Sequence, residues 1–404
     1  ENLTTLILGS LHFDNKTSEN IYFKSCKKLK DELSYQILQD GGHQERSASY
    51  HVLILERLVE LGIFLQIYKS YKPFWLTNAI RKMSIWLEKV LLYDGGLPRF
   101  NDCTIDSCGL PKEILLFAKS FLFEKDFGLI GRKKFLIKLI QKNNVQKINK
   151  YETKSIEDLP NTGWTILRPG EGWELLFKNG KPCPNHLPAH VHSDLLSFDL
   201  FFKGHPVFVE TGTSTYENNE FRKYERSGSA HNLIQLASLN KKNNLYNKNW
   251  IESVEVWGVF RAARKAKTIS REARILPHDV FLVSGSHDGF NKVNAHHKRT
   301  IKVNLCQNKS LKMEFIEDIF CTNNMNICIW FHLGPKFNAL FLNQAFTKLA
   351  KEFGFIMNEH QTYCAISFGK RKSRKSISLY GMLTPGKHKI RYDLTIPYDN
   401  FLKI

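Results

Sequence analysis

The chain has 404 residues, of which 42% are hydrophobic and 12% aromatic, enough for two domains with real cores and too apolar for a disordered tail. Lys and Arg outnumber Asp and Glu by 58 to 39, a formal charge of +19; a basic surface attracts nucleic acid, anionic lipid or acidic polysaccharide, although many of these lysines can also be plain solvated surface. No apolar run is long enough for a membrane span, and eight scattered cysteines without a CxxC pair exclude a disulfide scaffold, with Cys103 and Cys108 able to bridge only where the compartment oxidises.

The first residues, Glu1-Asn2-Leu3-Thr4-Thr5-Leu6, lack an initiator Met and a basic-then-apolar leader. They read as a chain entered in the middle of a helix. From there to about residue 150 the apolar period is helical. Cys26, Leu29, Leu33 and Ile37 fall three to four apart, as do Ile80, Met83, Trp86 or Leu87, and Val90 or Leu91. Residues 52–67 are apolar on most faces and suit a buried helix. Turn signals at Asp40-Gly41-Gly42, Lys72-Pro73 and Asp94-Gly95-Gly96 separate the runs.

The polar stretch 141–160 reads as a linker, and after it the period drops to two. Trp173, Leu175 and Phe177 alternate, then Leu196, Phe198 and Leu200, then Val207 and Val209, then Ile327, Ile329 and Phe331. Strand-like runs continue to the end. Helices first and strands after predict two segregated domains, 1–155 helical and 156–404 antiparallel β, rather than an alternating α/β fold.

Two segments concentrate chemistry. Segment 40–51 sets Asp40, Gly41, Gly42, Glu45, Arg46, Tyr50 and His51 at a loop-to-helix junction. The bland account is that Ser47 caps the helix and Tyr50 packs on its neighbour; the functional one is a Tyr hydroxyl aimed into a cleft. The second segment runs from His190 through His192, Asp194, Glu210, Tyr216, Arg222, Tyr224 and Arg226 to His231 and Asn232. His190 and His192 share a strand face by alternation. His192, Glu210 and His231 supply two imidazoles and a carboxylate, a set that suits zinc. Any one of these histidines would more often be an ordinary core or surface residue; the cluster, beside two Tyr and two Arg, reads as a site.

These residues resemble the heparinase II/III-like family. Segment 190–232 is similar to its HxHxDxLSF run, an acidic residue before TGT, then Tyr, Arg, Tyr and AHN. Segment 40–51 is similar to its DGxxxExSxxYH motif, and Trp257-Gly258-Val259-Phe260-Arg261 to a WGxFR-like run. The resemblance implies the end of an (α/α) toroid followed by a β-sandwich. It implies a lyase that cuts uronate-containing acidic polysaccharide by β-elimination, in the cell envelope or periplasm. A base removes the proton at C5, the adjacent carboxylate is neutralised, and an acid protonates the leaving O4. By the same resemblance Tyr50, His190, Tyr216 and Tyr224 are catalytic candidates. Glu45, Arg46, His51, Arg222, Arg226, Asn232 and Arg261 are candidates for holding substrate. A Tyr hydroxyl is a poor base unless cations lower its pKa, and Arg46, His190 and Arg226 are the expected ones. His192, Glu210 and His231 match structural zinc ligands, with Asp194 expected to orient a histidine rather than bind the ion.

Three positions depart from the family pattern. Glu210 stands where Asp is usual, one methylene longer. Ala48 stands where many relatives have Pro. The relatives' Asn-His pair, counted back from Tyr50, falls just before Glu1. Two further readings stay open: a non-catalytic carbohydrate-binding or surface-polysaccharide assembly protein, and a zinc hydrolase using His192, Glu210 and His231. Nucleic-acid binding is weaker, since no known nucleic-acid motif accompanies the charge.

Overall fold

The computed structural model describes residues 1–104, 106, 108–125, 127–140, 154–239, 250–335, 337 and 340–398. Most of the linker-like stretch 141–160 lies outside them. The chain divides into two compact units, 1–97 with 105–150, and 98–104 with 151–404. The second unit therefore takes a short peptide from within the helical half, which a single boundary at 155 does not anticipate.

The first unit is helical. It contains α1 (Asn2–Ser10), α2 (Lys16–Gln36), α3 (Ala48–Lys69), α4 (Phe74–Val90), α5 (Pro111–Phe123) and α6 (Gly131–Lys138). Asn15 caps α2, its side-chain oxygen accepting from the Ser18 N–H at 2.9 Å. On α2 only a thin stripe is buried, Leu29 and Leu33 among it, while Cys26 is half-buried and Ile37 already ends the helix. Helix α4 buries Leu76, Ala79, Ile80, Met83, Trp86, Leu87 and Val90, the expected period, and begins behind Pro73. Helix α3 is apolar on most faces because most of them are covered. At Gly62 a Cβ would sit 2.5 Å from the Phe121 ring of α5, so the missing side chain lets α3 and α5 approach.

The second unit is built from antiparallel strands. Strands β1 (Ser155–Leu159), β2 (Trp164–Gly170), β3 (Trp173–Lys178), β4 (Phe198–Phe202) and β5 (His205–Phe208) form a meander in chain order. Then come α7 (Glu220–Arg226), β6 (Ile234–Ser238) and the hairpin β7 (Val254–Trp257) with β8 (Arg261–Lys265). Strands β9 (Thr268–Leu276), β10 (Val280–His287), β11 (Ala295–Leu305) and β12 (Leu311–Cys321) follow. After them are β13 (Met325–His332), α8 (Leu340–Phe353), β14 (Ile356–Ser367), β15 (Lys370–Leu383) and β16 (Gly386–Ile396). The second sheet has the order β16-β12-β11-β10-β9 and the third β14-β15-β13-β6.

One apolar core draws on all three larger sheets. Phe198 of the first sheet meets Phe315 of the second at 5.3 Å between ring centres, and Phe315 meets Phe331 of the third at 6.2 Å. In β3 and β4 every position is buried, so these strands are covered on both faces and their alternation in sequence understates the burial. Helix α8 breaks the expected run of strands. Its buried Leu342, Phe346, Leu349 and Ala350 recur at helical spacing against the same core.

Candidate active site

In the helical unit, Tyr50 is the third residue of α3 and is half-buried. The loop before it is tightly built. Gly41 adopts φ +92°, and a Cβ there would lie 2.3 Å from the Lys82 carbonyl oxygen. Asp40 accepts from the Gly42 N–H at 3.2 Å. Ser47 caps α3, as the bland account expects, with the Tyr50 N–H at 3.5 Å. Arg46 is buried and its guanidinium donates to the Gln44 carbonyl at 3.2 Å; Glu45 is half-buried. His51, expected to hold substrate, is fully buried instead. Its Nε2 lies 3.0 Å from the Met83 carbonyl and its ring 4.2 Å from Trp86. Burial pushes its pKa down to about 3, so it is a neutral packing residue that joins α3 to α4.

In the strand-rich unit the site gathers on the loops around β4, α7 and the β7–β8 hairpin. The centre is a residue the sequence reading passed over. Asp102, fully buried, accepts from His190 Nδ1 at 3.0 Å, His192 Nε2 at 2.8 Å, Thr213 Oγ1 at 3.1 Å and both terminal nitrogens of Arg222. Burial opposes its charge, but the hydrogen bonds from His190, His192 and Arg222 outweigh it and hold the carboxyl well below the usual range. The backbone reinforces this arrangement. The Asp102 N–H donates to the His190 carbonyl at 3.0 Å, and the His192 N–H to the Asn101 side chain at 3.3 Å.

His190 and Tyr216 are brought together. Their ring centres are 6.5 Å apart, and Phe260 lies 6.0 Å from the first and 5.2 Å from the second. The Arg222 guanidinium sits 5.1 Å from the Tyr216 ring centre. The two arginines of α7 do a different task from the one expected. Arg222 donates to the Val259 carbonyl at 3.0 Å, and Arg226 to the carbonyls of Val191 at 2.9 Å, Gly258 at 2.8 Å and Val259 at 2.7 Å. They pin the tip of the β7–β8 hairpin, so neither is placed to grip a substrate carboxylate. Burial draws the Arg226 pKa down to about 10, with Arg222 adding to the effect.

The hairpin tip exposes Trp257, Phe260 and Arg261, and Arg261 pairs with Trp257 across it. Asn232 is also structural. Its amide donates to the Phe198 carbonyl at 2.9 Å and its oxygen accepts from the His332 N–H at 2.6 Å. Tyr224, two residues beyond Arg222 on α7 and so facing elsewhere, packs on Tyr363 at 5.4 Å.

The three expected metal ligands lie close together. His192 and His231 are fully buried with ring centres 5.5 Å apart, and His192 Nδ1 and His231 Nε2 have no hydrogen-bond partner. Two imidazole nitrogens without a partner in one buried place are lone pairs of the kind that bind a cation. Glu210, however, accepts from Ser197 Oγ and pairs with His231 Nδ1. Among the described residues no three His, Cys, Asp or Glu side chains form a ready-made cage. Burial pushes the His192 pKa down to about 3, whereas for His231 the pairing with Glu210 overcomes burial and raises it. Asp194 does not orient a histidine. It pairs with the fully buried Lys178 and accepts from the Asn101 N–H at 3.2 Å.

Asp102 was missed because an Asp in a loop after Asp94-Gly95-Gly96 looks like one more turn residue. Nothing in its spacing marks a partner about 90 residues away. Phe260 could have been found, since it lies within the WGVFR run.

Comparison with known proteins identifies the family and the fold. The family model for the heparinase II/III-like C-terminal domain matches residues 152–380, and that for the heparinase II/III N-terminus matches residues 4–127. The chain belongs to the heparinase II/III-like family. It is 23% identical over 260 residues to the heparin-sulfate lyase of Bacteroides thetaiotaomicron, a match covering 58% of this chain and 35% of that one. Among solved structures, a heparinase III superposes with a TM-score of 0.69 at 16% identity, over 98% of this chain and 58% of its own length. The heparan sulfate lyase HepC of Pedobacter heparinus gives 0.67 at 17% identity, over 98% and 59%. These likenesses show the fold: a helical part followed by a part rich in antiparallel sheet. The chain spans about a third of the curated relative and under two thirds of the solved structures it matches.

Proposed function

We propose that the protein cleaves a uronate-containing acidic polysaccharide by β-elimination, as the names of its relatives suggest. The observation that carries this reading is the His190–Tyr216–Arg222 cluster held on Asp102. It combines an imidazole and a phenol in one half-open place, with the Arg222 guanidinium, itself paired with Asp102, beneath the phenol ring. In β-elimination the C5–H and C4–O4 bonds break and a C4=C5 double bond forms. One group takes the C5 proton, another gives a proton to O4, and positive charge neutralises the uronate carboxylate. His190 is the candidate proton acceptor. Tyr216 is the candidate donor to O4 from this cluster, and Tyr50 a second candidate by the family resemblance.

In the same reading the helices close an (α/α) toroid and the sheets stack as a β-sandwich, a stacking supported by the shared core of the three sheets. His192, Glu210 and His231 would hold a zinc ion that supports the loops, which would require Glu210 to release His231 Nδ1. Bound there, zinc supplies structural cross-linking rather than chemistry. A cell-envelope or periplasmic site of action belongs to the same proposal.

The test is a panel of uronate polymers, heparan sulfate included, followed by the ultraviolet absorbance of the unsaturated product. Tyr50→Phe and His190→Ala should each cut turnover by about 10²–10⁴-fold with the fold intact. New reducing ends without absorbance would select a hydrolase instead. Binding without turnover would select a carbohydrate-binding protein.

A further inference from the structure

Five donors converge on Asp102: two imidazole N–H groups, two guanidinium N–H groups and one hydroxyl. A carboxylate offers about four lone-pair positions and no proton. Both oxygens are therefore fully used, and each histidine must present an N–H to its oxygen. The tautomers follow. His190 carries its proton on Nδ1, which leaves Nε2 as the proton acceptor. His192 carries its proton on Nε2, which leaves Nδ1, the nitrogen found without a partner. The same carboxylate holds Arg222 by both terminal nitrogens, a bidentate grip that fixes the guanidinium plane beneath Tyr216.

We propose that Asp102 is a positioning residue for the elimination: it sets His190 in the tautomer that accepts a proton at Nε2, and it holds Arg222 under Tyr216. The inference rests on the lyase reading for its kinetic consequence but not for its geometry. When His190 takes a proton, the imidazolium forms against a carboxylate already in place, so little has to reorganise. Asp102 touches no substrate and acts through the ring and the guanidinium it orients. Asparagine cannot replace it. The amide keeps one acceptor oxygen and turns an NH₂ toward groups that are themselves donors, so at least one histidine must switch tautomer or lose its bond.

The experiment has two arms. In the full chain with ¹⁵N-labelled histidine, imidazole nitrogen shifts report the tautomers directly. The expected result is Nδ1–H for His190 and Nε2–H for His192 in the unsubstituted protein, with His190 changed in Asp102→Asn. In kinetics on the polymer cleaved fastest, Asp102→Asn should lower kcat by about 10²–10⁴-fold with KM little changed. A proton on Nε2 of His190 in the unsubstituted protein overturns the proposal. So does Asp102→Asn with a lowered melting temperature but wild-type kcat, the mark of a purely structural residue. If no polymer is turned over, the lyase reading fails and the tautomer measurement still decides the role of Asp102.

Discussion

Single buried charges decide much in this molecule. Glu317, fully buried in the second sheet, accepts from Arg299 Nε at 2.9 Å, His297 Nε2 at 2.8 Å and Tyr392 Oη at 3.1 Å. Burial would raise its pKa, but Arg299 first and His297 after it bring it below the ordinary value. A carboxylate with a depressed folded pKa adds stability above its unfolded pKa, and that stability is lost as pH falls through the folded value. Glu317→Gln should therefore cost about 3–5 kcal/mol at neutral pH, because Arg299 is left as an unpaired buried charge. Urea unfolding at a series of pH values should show the gap to wild type narrowing below the normal Glu range; a gap independent of pH refutes the assignment. Some residues at this scale were legible in the sequence and others were not. His190, His192, Glu210, Tyr216 and His231 stood out because reactive side chains crowd into one stretch. The structural service of Arg222, Arg226, Asn232 and His51 could not be read there, since a polar residue aimed at a backbone carbonyl looks in sequence like one aimed at a ligand.

Elements were legible where one face is wet. Helix α4 and the change of period after the linker could be read because burial and hydration alternate along them. Strands β3 and β4 hid their full burial, and α8 was overlooked because its helical spacing sits among strands. At the α3–α5 contact the packing gives a definite sign. In an exposed helix Gly→Ala gains up to about 1 kcal/mol, yet at Gly62 the new Cβ meets the Phe121 ring at 2.5 Å. Gly62→Ala should therefore destabilise by about 1–3 kcal/mol. Adding Phe121→Leu should give a double variant less damaged than the sum of the singles, since the two sites share one space. A stabilised Gly62→Ala protein would show that α3 and α5 can separate freely. At the other end of the scale, Asn15→Ala should lose about 1 kcal/mol of stability through the α2 cap alone, measurable as a small fall in melting temperature.

For the whole molecule, charge and the histidine pair set the expectations. With a net charge of +19, binding of an acidic polymer should weaken steeply as salt rises towards about 1 M, where screening acts over roughly 3 Å. Retention on an anionic column at that salt would point to contacts other than charge. The zinc proposal predicts zinc in elemental analysis of the purified protein and a chelator that lowers its melting temperature. His231→Ala should melt lower at the outset and be indifferent to the chelator. Equal sensitivity of both proteins would move the metal elsewhere.

The peptide 98–104 has a consequence for modularity. All sixteen described strands follow residue 154, so the strand-rich unit looks separable by a single cut in the stretch before it. A fragment beginning at Tyr151 would nevertheless lack Asn101 and Asp102. His190 and His192 would lose their common acceptor, Lys178 would lose its 2.5 Å bond to Asn101, and Arg222 would hold only the hairpin. The unit is not inherited as a block. A chimaera that grafts these strands onto another helical half must carry the seven-residue peptide with them or supply its own.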